Sequence, residues 1–338
     1  MQKSQKVVIT DFIQNPPRVE SETLDGVAEV CALQALCEED LDGKIESADA
    51  IIAYHYIHIS EVTLKKLRKC KVIARGGVGF DNVDIRAASG LGIPVCNVPD
   101  YGTEDVADAA VGLMVSLARG AVLLNSRLRS GKGEWSPSQA APLHRMRGSV
   151  FGIVGLGRIG TAAAVRAKSM GMDVLFYDPY KPDGYEKSLG IRRAESLGEL
   201  VSQAFMLSVH CPLTPETQHL IDAEAISQMP EGSYLVNTAR GAIVDTAAIP
   251  SAIEAGRLAG AGIDVFEWEK VQEDDPLIVA WRDPDHPAHH RVLITPHSAF
   301  YSEESLIDLR TKAAETCRKA LLGQTLRNVV NGVTGQTS

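Results

Sequence analysis

The chain has 338 residues, which is enough for about two domains at roughly 150 residues each. Hydrophobic residues make up 45% of it and charged residues 23%, so the composition favours neither a disordered nor a fibrous chain. Lys and Arg total 34 against 43 Asp and Glu, and the resulting net charge of −9 disfavours a general binder of nucleic-acid backbones.

The six cysteines show no Cys-x-x-Cys pair, so neither a zinc site nor a disulfide framework is predicted. No stretch of the chain reaches the run of about 18 apolar residues that a transmembrane helix needs. We therefore expect a cytoplasmic protein with no membrane partner.

Short apolar segments alternate with helix-like segments at the start of the chain. We predict strands at residues 7–9, 50–54, 72–74 and 93–96. A helix is predicted over 60–68, with Ser60 as its N-terminal cap. Strands that alternate with helices indicate a parallel sheet covered on both faces.

The longest periodic segment runs over residues 103–130. Thr103 suits an N-terminal cap, and apolar residues recur every three or four positions as far as Leu128. At about 1.5 Å per residue, the pattern predicts one helix of roughly 40 Å. Two roles are open for it: a helix in the interface of a homodimer, or an ordinary long core helix.

The second half alternates again, with strands predicted at 150–154, 174–177, 206–210, 234–237, 262–265 and 291–295. Such a succession describes a doubly wound nucleotide-binding domain. A final helix over 302–322 is expected to return to the first domain. The predicted fold class is α/β with two Rossmann-like parallel-sheet domains. A nucleotide domain over 103–299 is inserted into a flavodoxin-like substrate domain made of 1–102 and 300–338.

A glycine-rich turn follows the first strand of the second half. Gly155, Gly157 and Gly160 form a G-x-G-x-x-G pattern between a predicted strand and a predicted helix, which is the context of a dinucleotide site. Asp178 ends the next strand, where a carboxylate accepts hydrogen bonds from ribose hydroxyls and repels a 2′-phosphate. We therefore predict NAD as the cofactor, with NADP as the alternative because Lys181 is near in sequence.

The glycine pattern lies in mid-chain, which indicates that the nucleotide domain is inserted between two pieces of the other domain. With this order of domains, the sequence resembles the D-isomer-specific 2-hydroxyacid dehydrogenase family over nearly its whole length. The motifs that carry the resemblance are RGGVGFDN at 75–82, GLGRIG at 155–160, CPLT at 211–214, NTARG at 237–241, DVFEWE at 264–269 and TPHSA at 295–299. Within the family it is most similar to the C-terminal binding protein and phosphoglycerate dehydrogenase-like group, through residues 53–55, 79–82, 175–180 and 300–303.

The resemblance assigns catalysis to Arg240, Glu269 and His297. His297 would exchange the proton with the substrate oxygen, Glu269 would stabilise the imidazolium, and Arg240 would present its planar fork to the carboxylate. Each has an alternative. Arg240 would then be a surface ion-pair residue and His297 a capping or core residue, while Glu269 would be a solvated loop acid, with Glu267 as the partner of the histidine.

The resemblance also implies the residues that bind substrate: Arg75, Gly76, Gly77, Val78, Gly79, Tyr54, His55 and Phe300. Backbone amides of the glycine-rich loop suit a carboxylate, since glycines let a ligand approach the main chain. The alternative for Arg75 is an ion pair at a strand end, and for Tyr54 and His55 an ordinary turn. Phe300 stands where the C-terminal binding protein group has Trp, so the aromatic wall is kept without the indole donor.

The implied cofactor contacts are Val78, Val154, Gly155, Leu156, Gly157, Arg158, Ile159, Gly160, Asp178, Cys211, Pro212, Thr217, Thr238, Ala239, Arg240, Asp264, His297 and Ala299. Asp264 is expected to accept a hydrogen bond from the nicotinamide carboxamide. We predict no metal, because His286, His289 and His290 lie among Asp and Pro residues typical of a solvated loop.

Two functions follow from these residues. The first is an NAD-dependent oxidoreductase that interconverts a small 2-oxo acid and the D-2-hydroxy acid, acting as a homodimer and binding no nucleic acid. The second is an NAD(H)-sensing regulatory protein resembling the corepressors of the C-terminal binding protein group.

Overall fold

The computed structural model describes residues 5–268 and 271–333. Its strands are β1 Gln5–Ile9, β2 Ala28–Ala32, β3 Ala50–Ala53, β4 Ile73–Arg75, β5 Val95–Asn97, β6 Val150–Val154, β7 Asp173–Tyr177, β8 Arg192–Arg193, β9 Met206–Val209, β10 Ser233–Asn237, β11 Leu258–Ile263 and β12 Val292–Ile294. Its α-helices are α1 Arg18–Thr23, α2 Glu61–Leu64, α3 Ile85–Gly90, α4 Thr103–Ala118, α5 Ala121–Arg129, α6 Arg158–Ser169, α7 Tyr185–Leu189, α8 Leu197–Gln203, α9 Ala223–Gln228, α10 Ile249–Glu254, α11 Pro276–Arg282 and α12 Glu303–Leu321.

The chain divides into two compact units. One contains the chain up to Gly102 together with the segment from Ser302 onward, and the other runs from Thr103 to Tyr301. The second division lies slightly after the predicted boundary at residue 299.

The first unit is built on a five-stranded parallel sheet in the order β2-β1-β3-β4-β5. This is the flavodoxin-like order. On one face of the sheet, Leu309, Ala313 and Cys317 of α12 pack with the apolar side chains of β1 and β3. The final helix therefore lies on the first sheet, where the sequence predicts it. Ser302 caps it by accepting from the backbone N–H of Ser305 at 3.0 Å.

The second unit is built on a seven-stranded parallel sheet in the order β12-β11-β10-β9-β6-β7-β8. The strand order reverses between β6 and β9, and in doubly wound sheets the ligand crevice lies outside the carboxyl ends of the strands at such a point. Apolar clusters cover the two faces of the sheet. The predicted class, two parallel-sheet α/β domains of Rossmann-like type, is confirmed.

The single long helix predicted over 103–130 is wrong. The chain forms α4 and α5, which meet at an angle of 64°. Gly120 lies between them with a left-handed φ of 63°, and a side-chain carbon at this glycine would come within 2.8 Å of the Cβ of Ala140. The turn therefore needs glycine. Val106, Ala110 and Met114 of α4 are buried, whereas α5 buries no residue. Within the described residues no single helix has the length and apolarity of a membrane span, although α4 and α5 taken together do.

The helix predicted over 60–68 is also shorter than expected. Only Glu61–Leu64 is helical, and the side chain of Ser60 makes no capping hydrogen bond. The Ser60 carbonyl still accepts from the backbone N–H of Leu64 at 3.0 Å, which closes the single turn.

Candidate active site

The glycine-rich turn after β6 has the geometry that its sequence predicts. Gly155 has a φ of 89°, and its N–H donates to the carbonyl of Tyr177 at 2.9 Å. A side-chain carbon at Gly155 would lie 2.7 Å from the Cα of Cys211, and one at Gly160 would lie 2.2 Å from the carbonyl oxygen of Gly155. The space beside Gly157, where α6 begins, is open. The first amides of α6 therefore border open space at the positive end of a helix.

Asp178 is held next to this turn. Its carboxylate accepts from the backbone N–H of Leu156 at 2.8 Å and from that of Tyr180 at 3.0 Å. Arg193 donates to the carbonyl of Asp178 at 3.2 Å, which fixes the backbone after β7. The ammonium of Lys181 lies 4.7 Å from the centre of the Tyr185 ring. The acid predicted to bind ribose therefore lies at the end of β7, held by the glycine turn itself.

Arg240 follows β10 and is positioned by Asn237. The Asn237 side chain accepts from the N–H of Ala239 at 3.0 Å and donates to the carbonyl of Arg240 at 2.8 Å. Gly241 comes next, and a side-chain carbon there would lie 1.8 Å from the carbonyl carbon of Phe266. The backbone after β10 therefore packs directly on the segment after β11.

Thr238 carries a buried hydroxyl that has no hydrogen-bond partner among the described residues. Buried polar atoms in native proteins nearly always have partners, so an unsatisfied one at a strand end points to a missing ligand.

Asp264 follows β11 and organises the loop that carries His297. Its buried carboxylate accepts from the hydroxyl of Thr295 and from the N–H groups of Ser298, at 2.9 Å, and Ala299, at 3.1 and 3.2 Å. Its carbonyl accepts from the N–H of His297 at 2.8 Å. The role expected for this acid, accepting from a carboxamide, remains a prediction. The observed contacts show that it shapes the histidine loop.

His297 has a left-handed φ of 49°, which is uncommon outside glycine and is held here by the bonds from the loop to Asp264. Its ring meets the ring of Phe300 edge to face, with centroids 5.9 Å apart. Glu269 lies outside the described residues. Glu267, the alternative partner of the histidine, has its carboxylate 3.3 Å from the Nε2 of His219.

The loop after β9 contributes the next group of predicted cofactor residues. The Thr217 hydroxyl donates to the carbonyl of Pro212 at 2.7 Å and so closes the loop. Burial raises the pKa of Cys211 to about 12, so its thiol stays protonated at neutral pH. Burial also lowers the pKa of His210 to about 4, and its ring lies 2.9 Å from the hydroxyl of Ser208. Neither side chain suits nucleophilic or acid–base work at neutral pH.

In the first unit, the predicted substrate loop follows β4. Arg75 is buried and donates to the side chain of Asn82 at 3.2 Å and to the carbonyl of Gly76 at 2.8 Å. The backbone N–H groups of Gly77, Val78 and Gly79 donate to no acceptor within the described residues. Amides without a protein acceptor suit an anion. The His55 ring packs edgewise against Tyr56 and at a tilt against Phe12, with ring centroids 4.3 and 5.1 Å away.

The expectation that the Tyr54 side chain binds substrate needs correction. Tyr54 is fully buried, and its hydroxyl donates to Glu20 at 3.4 Å. Its ring lies against Gly76, where a side-chain carbon would come within 2.6 Å of the ring. Because the ring fills the core below the loop, it supports Gly76 and has no exposed surface for a ligand.

Sequence reasoning did not single out the residues that hold these loops. Asn82 donates to the carbonyls of Tyr54 and Ile57 at 2.7 Å each. After β10, the side chain of Asn237 likewise donates to a loop carbonyl, that of Arg240. Both lie at the ends of motifs quoted for the family resemblance, and that position was the available signal.

These features fit a bound dinucleotide. The site offers helix-start amides, glycines whose side-chain carbons would clash, an acid at the end of β7 and an unsatisfied threonine hydroxyl. Within the described part of the chain, no group of three metal-ligating side chains occurs. His286, His289 and His290 instead contact Glu254, the carbonyl of Trp281 and Ser126, respectively.

The fold and this site define the second unit as a dinucleotide-binding domain. Residues 111–299 match the family model described as D-isomer specific 2-hydroxyacid dehydrogenase, NAD binding domain. The chain belongs to the D-isomer-specific 2-hydroxyacid dehydrogenase family, and its second unit is an NAD-binding domain.

Similar proteins include a dehydrogenase and a C-terminal-binding protein. D-3-phosphoglycerate dehydrogenase of Methanocaldococcus jannaschii is 35% identical over 326 residues, which cover 96% of this chain and 59% of that protein. C-terminal-binding protein 1 of Caenorhabditis elegans is 34% identical over 90% of this chain and 42% of its own length. The chain thus spans about half the length of these relatives.

A solved structure matches over nearly the whole of both chains. D-lactate dehydrogenase from Aquifex aeolicus, complexed with NAD and lactic acid, superposes with a TM-score of 0.83 at 28% identity, covering 94% of this chain and 96% of that one.

Proposed function

We propose that the protein is an NAD-dependent oxidoreductase that interconverts a small 2-oxo acid and its D-2-hydroxy acid. The observation that carries the proposal is a series of hydrogen bonds, through the side chain and carbonyl of Asn237 and the backbone of Asp264, that joins the backbone at Arg240 to that at His297. Asn237 donates to the carbonyl of Arg240 and accepts from the N–H of Asp264 at 3.0 Å, and Asp264 accepts from the N–H of His297. The backbone that carries a cation and an imidazole is thereby held at the carboxyl ends of β10 and β12, the two strands that flank β11.

Each side chain has a distinct role in this proposal. NAD, when bound, supplies or accepts the hydride. His297 gives a proton to the ketone oxygen in reduction and takes it back in oxidation. Arg240 donates to the substrate carboxylate and polarises the carbonyl. In the first unit, the amides of Gly77, Val78 and Gly79 suit a carboxylate of the substrate.

The cofactor would be held by the glycine turn and α6, with Asp178 on a ribose and Thr238 donating its hydroxyl. Glu269 is proposed as the acid that stabilises the charged form of His297. The printed names of the similar dehydrogenases support a 2-hydroxy acid as the substrate class.

The test is NADH oxidation with a panel of 2-oxo acids that differ in length, charge and aromatic character. We expect turnover of at least one acid, and His297→Asn should lower its kcat by about 10²- to 10⁴-fold, the range for loss of a general acid. Arg240→Lys should raise KM because the planar fork is lost. His144→Asn, a change at an exposed histidine, serves as the matched control and should have no effect. Full activity in the His297 variant would contradict its role.

A second candidate is an NAD(H)-sensing regulatory protein, favoured by the similarity to C-terminal-binding protein 1. Under this candidate the chain binds NADH with micromolar or tighter affinity but turns over none of the acids. Measuring NADH affinity and turnover on one preparation separates the two candidates.

We also propose a homodimer in the cytoplasm. Sedimentation of the purified chain tests the oligomeric state, and a monomer at micromolar concentration would overturn it.

A further inference from the structure

We propose that Glu20 and Arg310 are positioning residues for the substrate loop at Gly76 to Gly79. The effect on catalysis rests on the function proposed above, whereas the effect on the loop does not. Neither residue belongs to a motif of the family resemblance, and both lie below the loop in the core of the first unit.

The two residues form a buried ion pair between α1 and α12. Arg310 donates from Nε to the Oε1 of Glu20 at 2.8 Å and from Nη2 to Oε2 at 2.7 Å. Glu20 is fully buried, and the Arg310 side chain is 18% exposed. A bidentate pair has a fixed geometry, and a buried carboxylate without its partner is strongly unfavourable. The pair therefore sets the distance between the two helices at this point.

Tyr54 connects this pair to the loop. Its hydroxyl donates to the Oε1 of Glu20, the same oxygen that accepts from the Nε of Arg310. Burial raises the pKa of Tyr54 well above its ordinary value, so the hydroxyl remains a donor. At the other end of the side chain, the ring lies so close to Gly76 that no side-chain carbon fits there. A shift of Glu20 would thus move the ring that supports Gly76.

The loop itself is held through its other backbone atoms. The N–H of Gly76 donates to the carbonyl of Ala53 at 2.8 Å, the carbonyl of Gly77 accepts from Val98 at 3.0 Å, and that of Val78 accepts from Asn97 at 2.7 Å. These bonds fix the edges of the loop, and the Tyr54 ring sets its height above the sheet. The amides of Gly77, Val78 and Gly79 therefore keep their positions only while the Tyr54 ring keeps its own.

The expected effect is on substrate binding rather than on chemistry. Loop amides hold the carboxylate, which changes little in charge during the reaction, so they bind substrate and transition state about equally. Loss of such uniform binding raises KM and leaves kcat unchanged. Of the implied cofactor contacts only Val78 belongs to this loop, so the affinity for NADH should change little.

The variants are Glu20→Gln, which removes the charge, and Tyr54→Phe, which keeps the ring but loses the link to Glu20. Arg318→Gln is the matched control. Arg318 also lies on α12 and also contacts the α1 region, donating to the carbonyl of Thr23 at 3.2 Å, but it does not touch Tyr54. The double variant Glu20→Leu with Arg310→Met removes the pair without leaving a buried charge, and it provides a folded sample if Glu20→Gln unfolds.

Two measurements are made on the full chain. Hydrogen exchange should become faster, by about tenfold, at the hydrogen-bonded amides of Gly76 and Val98, which hold the loop, in Glu20→Gln and the double variant. The increase should be smaller in Tyr54→Phe and absent in Arg318→Gln. With the best oxo acid, KM should rise about tenfold in Glu20→Gln and in the double variant, while kcat and the NADH dissociation constant each stay within about twofold.

The two proposals fail differently. If the unaltered chain turns over no acid, the proposed function fails, and hydrogen exchange alone decides whether the pair holds the loop. Unchanged exchange at the amides of Gly76 and Val98 in the double variant would overturn the positioning role. So would an equal increase in Arg318→Gln, because it would show general loosening of α12.

Discussion

The backbone N–H of His297 donates to the carbonyl of Asp264 at 2.8 Å, and the Asp264 carboxylate accepts from the N–H groups of the next two residues. One buried acid therefore determines the path of the loop that carries the proposed proton donor. It also receives the hydroxyl of Thr295, so its oxygens are occupied by bonds within one short segment.

Asp264→Asn should misplace the histidine. An amide keeps one acceptor oxygen but turns an NH₂ group toward backbone donors, so at least one of the N–H groups of Ser298 and Ala299 loses its partner. We expect kcat with the best oxo acid to fall by about 10- to 100-fold and stability to fall by about 1–3 kcal/mol. Steady-state kinetics and denaturant unfolding measure the two effects.

Asp245→Asn is the control for this change. Asp245 likewise accepts from a backbone N–H, that of Ala247 at 3.1 Å, in the same unit. Asp245→Asn should lower stability by as much as Asp264→Asn or less, and it should leave kcat unchanged. If Asp264→Asn matched this control in kcat, the carboxylate would not be what positions His297.

Asp178→Ala should shift the cofactor preference toward NADP. The substitution removes an acceptor for ribose hydroxyls and the negative charge that opposes a 2′-phosphate. We expect the NADH dissociation constant to rise about tenfold and that of NADPH to fall, as measured by cofactor fluorescence. Asp173→Ala, on the same strand and paired with Arg192 at 2.7 Å, should change neither. An unchanged ratio of the NADH and NADPH dissociation constants would contradict the assignment of Asp178 as the acid that binds ribose.

Gly241→Ala should displace Arg240. The new carbon would lie 1.8 Å from the carbonyl carbon of Phe266, and backbone cannot yield as a flexible side chain does. We expect a loss of about 1–3 kcal/mol in stability and a higher KM for the oxo acid. The control is Gly112→Ala in the middle of α4, where nothing lies within 4 Å, and it should stabilise the protein by about 0.5–1 kcal/mol. Normal KM and stability in Gly241→Ala would contradict the close packing.

The sequence was most informative where function constrains the backbone. The glycine turn and Asp178 could be predicted because their residue types suit one local geometry, whereas Arg240 and His297 were singled out through the motifs of the family resemblance. The strands β2 and β8 were missed because both lie at sheet edges, where partial exposure removes the apolar run that marks an inner strand.

Features that depend on contacts between residues distant in the chain could not be predicted from the sequence. Tyr54 was expected in the pocket because its neighbours in sequence resemble pocket residues. It is buried because Glu20 and Arg310, 290 positions apart in the chain, meet beneath it. No local pattern reports such a pairing. The break at Gly120 was missed for a related reason, since apolar periodicity continues across it.

The last prediction concerns pH and stability. Burial lowers the pKa of His210 to about 4, whereas an unfolded histidine titrates near 6.5. Between these values the unfolded chain binds more protons than the folded one, so stability rises with pH across this window. Above about pH 6.5 the contribution is complete. It is lost as the pH falls toward 4, at about 1.4 kcal/mol for each pH unit. His290, whose pKa burial also lowers, adds a slope of the same sign.

Denaturant unfolding at pH 7.5, 6.5 and 5.5 should therefore show falling stability below neutral pH. His210→Asn removes the titrating ring, so its stability should vary less over this range even if its stability at pH 7.5 is lower. His144→Asn is the control, since that histidine is exposed and meets Phe205 edgewise at 5.6 Å, and it should keep the full slope. A His210 variant with the slope of the unaltered chain would show that another group titrates in this window, and the low pKa of His210 would then be wrong.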